Sequence, residues 1–163
     1  MRTFLFLTIS IALLLQAGCG PRDDRPADMP RLYPVKISIV QDGKPLEEAD
    51  VTLTAKTPTN YGVSTGFTDA SGVAILRTYG YNGVPVGQYT VAVIKRTVEG
   101  ATLATSPIDG STYETGGTVY QTVDVQYTDT VQSPLNINVT EKGATESFDV
   151  GAPVRISLGQ NTL

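Results

Sequence analysis

The chain is predicted to be all-β: an antiparallel β-sandwich of about seven or eight strands behind a cleaved leader. Three observations carry that expectation. Apolar residues recur at every second position from Pro34 onward, Thr and Val stand where a helical protein carries Ala, Glu and Lys, and turn residues punctuate the chain at short intervals. No helical window is longer than the leader, and the 163 residues suit one globular domain.

Val35, Ile37 and Ile39 alternate with Lys36 and Ser38, which predicts a first strand ending at the Asp42-Gly43 turn. Ala49, Val51, Leu53 and Ala55 alternate with polar partners and predict a second. Asp69-Ala70-Ser71-Gly72 reads as a turn, and Val73 to Tyr79 after it is apolar enough to expect cover on both faces. Pro85 to Gly87 closes a loop before the strand of Tyr89, Val91 and Val93. Residues 97 to 133, with polar and Gly/Thr-rich runs, read as a long loop holding at most a strand at Val119 to Val125. Alternation returns at Leu135, Ile137 and Val139, and Lys142-Gly143 turns the chain toward Phe148 and Val150. Val154, Ile156 and Leu158 form a last apolar set that extends the sheet.

The N-terminus carries an address. Arg2 precedes an uncharged run from Phe4 to Leu15, too short at about 1.5 Å per residue to cross a hydrocarbon core of roughly 30 Å, so residues 1–18 read as a signal peptide. Leu15-Gln16-Ala17-Gly18-Cys19 resembles the lipobox of bacterial lipoproteins, although Gln16 stands where that motif usually has Leu. The resemblance implies that Cys19 is lipidated and becomes the new N-terminus. The alternative, an ordinary secretory signal, leaves Cys19 as an unpaired thiol in an oxidising compartment. Residues 19–33, with Pro21, Pro26 and Pro30 among balanced charges, read as a disordered tether, leaving 34–163 as the folded body.

Composition excludes much. With no His and one Cys, Ser-His-Asp and Cys-His catalysis, CxxC redox pairs and His-rich metal sites are absent. Twelve basic residues against 16 acidic give a formal charge of -4, and removing the leader with Arg2 leaves 11 against 16, or -5. No basic stripe follows a phosphate backbone, so nucleic acid is not expected as a partner.

Four short motifs in order, Gly43-Lys44-Pro45-Leu46, Ala49-Asp50-Val51, Thr68-Asp69-Ala70-Ser71-Gly72 and Gly87-Gln88-Tyr89-Thr90-Val91, resemble the carboxypeptidase regulatory-like domain. The resemblance covers Pro34 to Val93 and extends more loosely to Tyr127-Thr128-Asp129, Ser133-Pro134-Leu135 and Phe148. It implies a transthyretin-like, Ig-like sandwich of the kind carried by small bacterial envelope lipoproteins, and a module that is not itself a peptidase. Glu48 stands where that family often has Gly, and Ala74 where a bulkier inward residue is usual.

Candidate sites are few. Tyr61, Tyr79 and Tyr81 lie on or beside loops, and Tyr113 and Tyr120 in the long loop could join them as an aromatic surface for sugar rings or a protein. The competing reading puts Tyr79 and Tyr89 in the core, with the other tyrosines covering loop bases. Asp69 suits a turn that binds its own backbone better than calcium, since no acid neighbours it, and no metal or cofactor is expected. Alternation turns Lys36 outward, against an intramolecular Lys–Asn or Lys–Asp bond of the collagen-adhesin type. A transthyretin-like hydroxyisourate hydrolase would need histidines and a C-terminal Tyr-Arg-Gly-Ser-type motif, both missing here. Glu47-Glu48 and Asp23-Asp24 are adjacent in sequence and do not converge as an acid–base pair. No catalytic residue is expected. The chain reads as a non-enzymatic, membrane-anchored lipoprotein of the cell envelope, periplasm-facing or on the outer membrane. It would act as a structural or interaction module for an envelope protein or glycan, or as a carbohydrate- or peptide-binding module using the loop tyrosines.

Overall fold

The structure, a computed structural model, describes residues 25–160. The leader over 1–18, Cys19, Asp23-Asp24 and residues 161–163 lie outside the described residues.

The fold is all-β and two-layered. Its first strand, β1 (Leu32–Tyr33), opens the body, and β2 (Val35–Gln41) follows with Val35, Ile37 and Ile39 buried and Lys36 exposed, as the alternation requires. Gln41 faces Lys44 at the start of β3 (Lys44–Pro45) across Asp42-Gly43, whose φ of 50° and 71° are those of a type I′ turn. The centre of the second layer is β4 (Asp50–Ala55), which buries Val51 and Leu53 and pairs with β5 (Val63–Phe67). Each such buried aliphatic side chain contributes about 1.5–3 kcal/mol.

From β5 the chain turns through Asp69, whose Oδ1 accepts from Ser71 N, Ser71 Oγ and Val73 N. These bonds, the Ser71 hydroxyl foremost, hold the Asp69 carboxyl below its ordinary pKa. Gly72 closes this turn at φ 74°, and a Cβ there would lie 2.6 Å from the Ile39 carbonyl oxygen, so no side chain fits.

The next segment changes layers. β6 (Val73–Ile75) pairs with β2, while β7 (Arg77–Thr78) pairs with β5, and buried Leu76 is the crossing point. Cover on both faces, expected for Val73 to Tyr79, is not found. Ala74, Leu76 and Thr78 point inward, while Ile75 is 62% exposed and Arg77 and Tyr79 also face out. The run serves two sheets in succession and buries one face of each.

β8 (Tyr81–Asn82) completes a hairpin with β7, and β9 (Val84–Pro85) pairs with β1. The tether expected over 19–33 therefore ends earlier, because Leu32 and Tyr33 find backbone partners in Pro85 and Val84. β10 (Gly87–Ile94) then runs antiparallel to β4, burying Tyr89, Val91 and Val93.

The long loop expected over 97 to 133 is overturned. It holds β11 (Arg96–Glu99), β12 (Thr102–Thr105), β13 (Thr112–Thr115) and β14 (Thr118–Gln121), which form one hairpin arm. Glu99 faces Thr118 and Thr102 faces Thr115, so Gly100-Ala101 and Gly116-Gly117 match and the register is unbroken across the joint. At about 3.3 Å per residue the arm reaches roughly 30 Å. A 3-10 turn at Val125–Tyr127 follows, in place of the expected strand as far as Val125.

β15 (Asn136–Val139) adds to the free edge of β10, giving a sheet in the order β15-β10-β4-β5-β7-β8. β16 (Ala144–Asp149) then lies parallel to β2, Ala144 against Val35 and Asp149 against Val40, while every other strand pair is antiparallel. β17 (Ile156–Gln160) pairs with β14 at the base of the arm.

The sandwich thus has two poles. At one lie Val35, Ala55, Tyr61 and Gly87; at the other lie Gln41, Asp50 and Ile94, where the arm leaves. Among the described residues the buried polar side chains are neutral (Gln41, Ser64, Thr68, Thr78, Thr90, Gln121 and Ser133), and no helix is long and apolar enough to cross a membrane.

Candidate functional site

The pole at which the described chain begins gathers three of the expected tyrosines. Tyr79 and Gly80 form the two-residue turn between β7 and β8, with φ of 50° and 86°. A type I′ turn needs positive φ at both positions, and Asn or Asp usually fills the first. Tyrosine there accepts a left-handed backbone at a cost of about 1–2 kcal/mol. Its ring is carried to the hairpin tip, 68% exposed, so the core reading of Tyr79 fails while that of Tyr89 holds. Tyr89 is buried with its hydroxyl donating to Pro85 O at 2.9 Å, and burial raises its pKa.

Tyr61 meets Tyr79 edge to face, with ring centroids 5.6 Å apart and planes at 76°. The Tyr79 hydroxyl donates to Asn60 O at 3.1 Å, and the Tyr61 hydroxyl donates to Asp28 Oδ1 at 2.8 Å. That bond to Asp28 is the main reason the Tyr61 pKa is raised, with smaller contributions from burial, from the Asp28 charge and from Tyr79 and Tyr81. The hairpin base is anchored by Thr78, buried beneath the tip, whose Oγ1 donates to Gly83 O at 2.8 Å and lies 2.8 Å from Ser64 Oγ.

Beside the platform runs a cleft of about 560 Å³, within the size range of small-ligand sites. Asp28, Pro30, Thr59, Asn60, Tyr61 and Gln88 are among the side chains on its walls. Asp28, Asn60 and Gln88 carry no signal in the sequence. Asp28 reaches Tyr61 from 33 positions away, through the docking of the N-terminal segment.

The other expected residues are elsewhere. Tyr113 stands on β13 and Tyr120 on β14, both on the arm at the opposite pole, so neither joins the platform. The face of Tyr120 is covered by the Arg155 guanidinium at 3.9 Å, and Arg155 Nη2 donates to Glu99 Oε2 at 2.7 Å. At the arm tip Ser106 Oγ accepts from Ile108 N and Asp109 Oδ1 accepts from Ser111 N and Oγ. The Ser111 hydroxyl chiefly lowers the Asp109 pKa. Ile108 sits on this braced turn 93% exposed. Lys36 points outward and Glu47-Glu48 is exposed; among the described residues no group of three or more His, Cys, Asp or Glu could hold a metal. Cys19 lies outside the described residues.

No protein-family model matches the chain. No curated protein matches it either. Among solved structures it is similar to the crystal structure of a candidate adhesin from Bacteroides ovatus, at 16% identity and a TM-score of 0.36, covering 86% of this chain. The chain spans about half the length of that protein, 49%.

Proposed function

We propose that the chain is a non-enzymatic binding module of the bacterial cell envelope, moored through lipidated Cys19, and that the Tyr61–Tyr79 platform is its ligand contact. One observation carries this reading: Tyr79 holds a left-handed backbone that Asn or Gly would adopt more readily, and the side chain gained there is displayed to solvent. Strain retained for an exposed aromatic is accounted for by what the aromatic touches. Docking of the segment from Asp28 to Tyr33 supports a mooring on the platform's side, because it holds the N-terminal end of the described chain at that pole. The same reading places the body with carboxypeptidase regulatory-like modules, supported by the Asp69–Gly72 turn and by Glu48, which has φ 53° where that family often has Gly.

The test compares wild-type and Tyr79→Asn protein on glycan arrays and in peptide pull-downs, with intact-mass analysis of membrane-extracted protein and a Cys19→Ser control. Retained fold with lost binding, and an acyl mass on Cys19, are the expected results. Binding that survives Tyr79→Asn removes the platform, and an unmodified Cys19 removes the mooring. A second surface has its own observation: the braced arm tip presents Ile108 to a protein partner, and Ile108→Asp should abolish that capture without changing the platform.

A further inference from the structure

The walls of the cleft beside Tyr61 select a chemistry. Besides Tyr61 and Tyr89, its polar side chains among the described residues are Thr57, Thr59, Asn60 and Gln88, each able to donate and to accept, and a single carboxylate, Asp28. Asp28 already accepts the Tyr61 hydroxyl proton. Among the described residues no Lys or Arg lines the cleft, so a phosphate, carboxylate or uronate entering it would lose hydration with no cation on these walls to replace it, beside a fixed negative charge. Pro30, Tyr61, Pro85 and Val86 supply apolar walls between these groups. Alternating apolar faces and bifunctional hydroxyl or amide groups match a ring that is apolar on its C–H face and carries hydroxyls at its rim, each both donor and acceptor.

We infer that this cleft binds a neutral saccharide, with the Tyr61 ring on its wall receiving the C–H face and Asn60 and Gln88 hydrogen-bonding the ring hydroxyls. The inference rests on the platform reading above and deepens it by naming the ligand class. Asp28 belongs to the N-terminal segment, so docking of that segment completes one wall. The tether that moors the module is part of its site. Gln88 has an exposed side chain on β10 with its backbone paired to Asn138, so it can be truncated without loss of a strand partner.

The test titrates the full chain, in a detergent without a sugar headgroup, with a panel of neutral trisaccharides (maltotriose, cellotriose, mannotriose, xylotriose) and with trigalacturonate. Calorimetry and ligand-observed NMR report binding. At least one neutral trisaccharide is expected to bind with a Kd of roughly 1 mM or tighter, and trigalacturonate at least about tenfold more weakly. Gln88→Ala and Asn60→Ala, with folding checked by circular dichroism, should each weaken binding by roughly tenfold. No binding across the neutral panel, or uronate binding as tight as the neutral sugars, overturns the inference while leaving a Tyr79-dependent peptide or protein ligand intact. Saccharide binding lost with Gln88→Ala but unchanged in Tyr79→Asn supports the cleft and sinks the platform, so the two failures are separable.

Discussion

Ser64 gives its hydroxyl proton to Thr78. Thr78 Oγ1 carries one proton, which goes to Gly83 O at 2.8 Å, so in its 2.8 Å contact with Ser64 Oγ it can only accept. Both side chains are buried under the hairpin that lifts Tyr79. Thr78→Val leaves the Ser64 hydroxyl and the Gly83 carbonyl unpaired and should cost about 2 kcal/mol, while Ser64→Ala keeps the Thr78–Gly83 bond and should cost about 1 kcal/mol. Urea unfolding of both variants ranks them, and the reverse order would remove Thr78 as the centre of this pair of bonds.

Tyr79→Asn should separate binding from stability. Asn relieves about 1 kcal/mol of left-handed backbone cost and loses an edge contact with Tyr61 of about 0.5–1 kcal/mol, so net stability should stay within about 1 kcal/mol of wild type. Ligand affinity should fall by at least roughly tenfold. Thermal unfolding alongside a binding titration reads both. A variant that unfolds well below wild type would mean that the ring supports the fold.

Backbone conformation sets opposite signs at two positions on neighbouring turns. Glu48 has φ 53°, so Glu48→Gly should stabilise by about 1 kcal/mol. Gly72→Ala should destabilise by roughly 2–4 kcal/mol, because its Cβ would press on the Ile39 carbonyl that accepts from Leu46 N. Denaturant midpoints give both signs in one experiment.

Acid should weaken the fold through three turn carboxylates. Asp69 and Asp109 are lowered mainly by the hydroxyls of Ser71 and Ser111, and Asp129 by the backbone N–H groups of Gln132 and Val131. A carboxyl with a depressed native pKa contributes stability that is fully present above its unfolded pKa of about 3.9 and is lost as pH falls through the native value. The unfolding midpoint should therefore decline below about pH 4, and Asp69→Asn should flatten that decline. An acid limb identical in wild type and variant would remove Asp69 from the account.

The strands legible in the sequence are those with one buried face. Val35 to Ile39, Val51 to Leu53, Tyr89 to Val93 and Ile137 to Val139 all show alternation because the inward residues are apolar for a reason local to each strand. The arm read as a loop because most of its side chains face water, which removes the apolar period and leaves Thr opposite Thr at 102/115 and 105/112. That mirrored spacing of β-branched residues about Ile108-Asp109 is the signal that could have found it. The parallel pairing of β2 with β16 joins segments at opposite ends of the body and leaves no trace in either one. The clustering of Tyr61, Tyr79 and Tyr81 was legible because turns flank them; the separation of Tyr113 and Tyr120 was not, since it follows from where the arm leaves the sandwich.

The parallel pairing of β2 and β16 has a mechanical consequence. Tension entering ahead of Val35 and leaving beyond Asp149 pulls the two strands past each other lengthwise, so the rungs from Ala144–Val35 to Asp149–Val40 are strained together in shear. A hairpin pulled from its open end gives way one rung at a time. A module pulled between those two ends would therefore resist at its strongest geometry, all the rungs of one strand pair sharing the load at once.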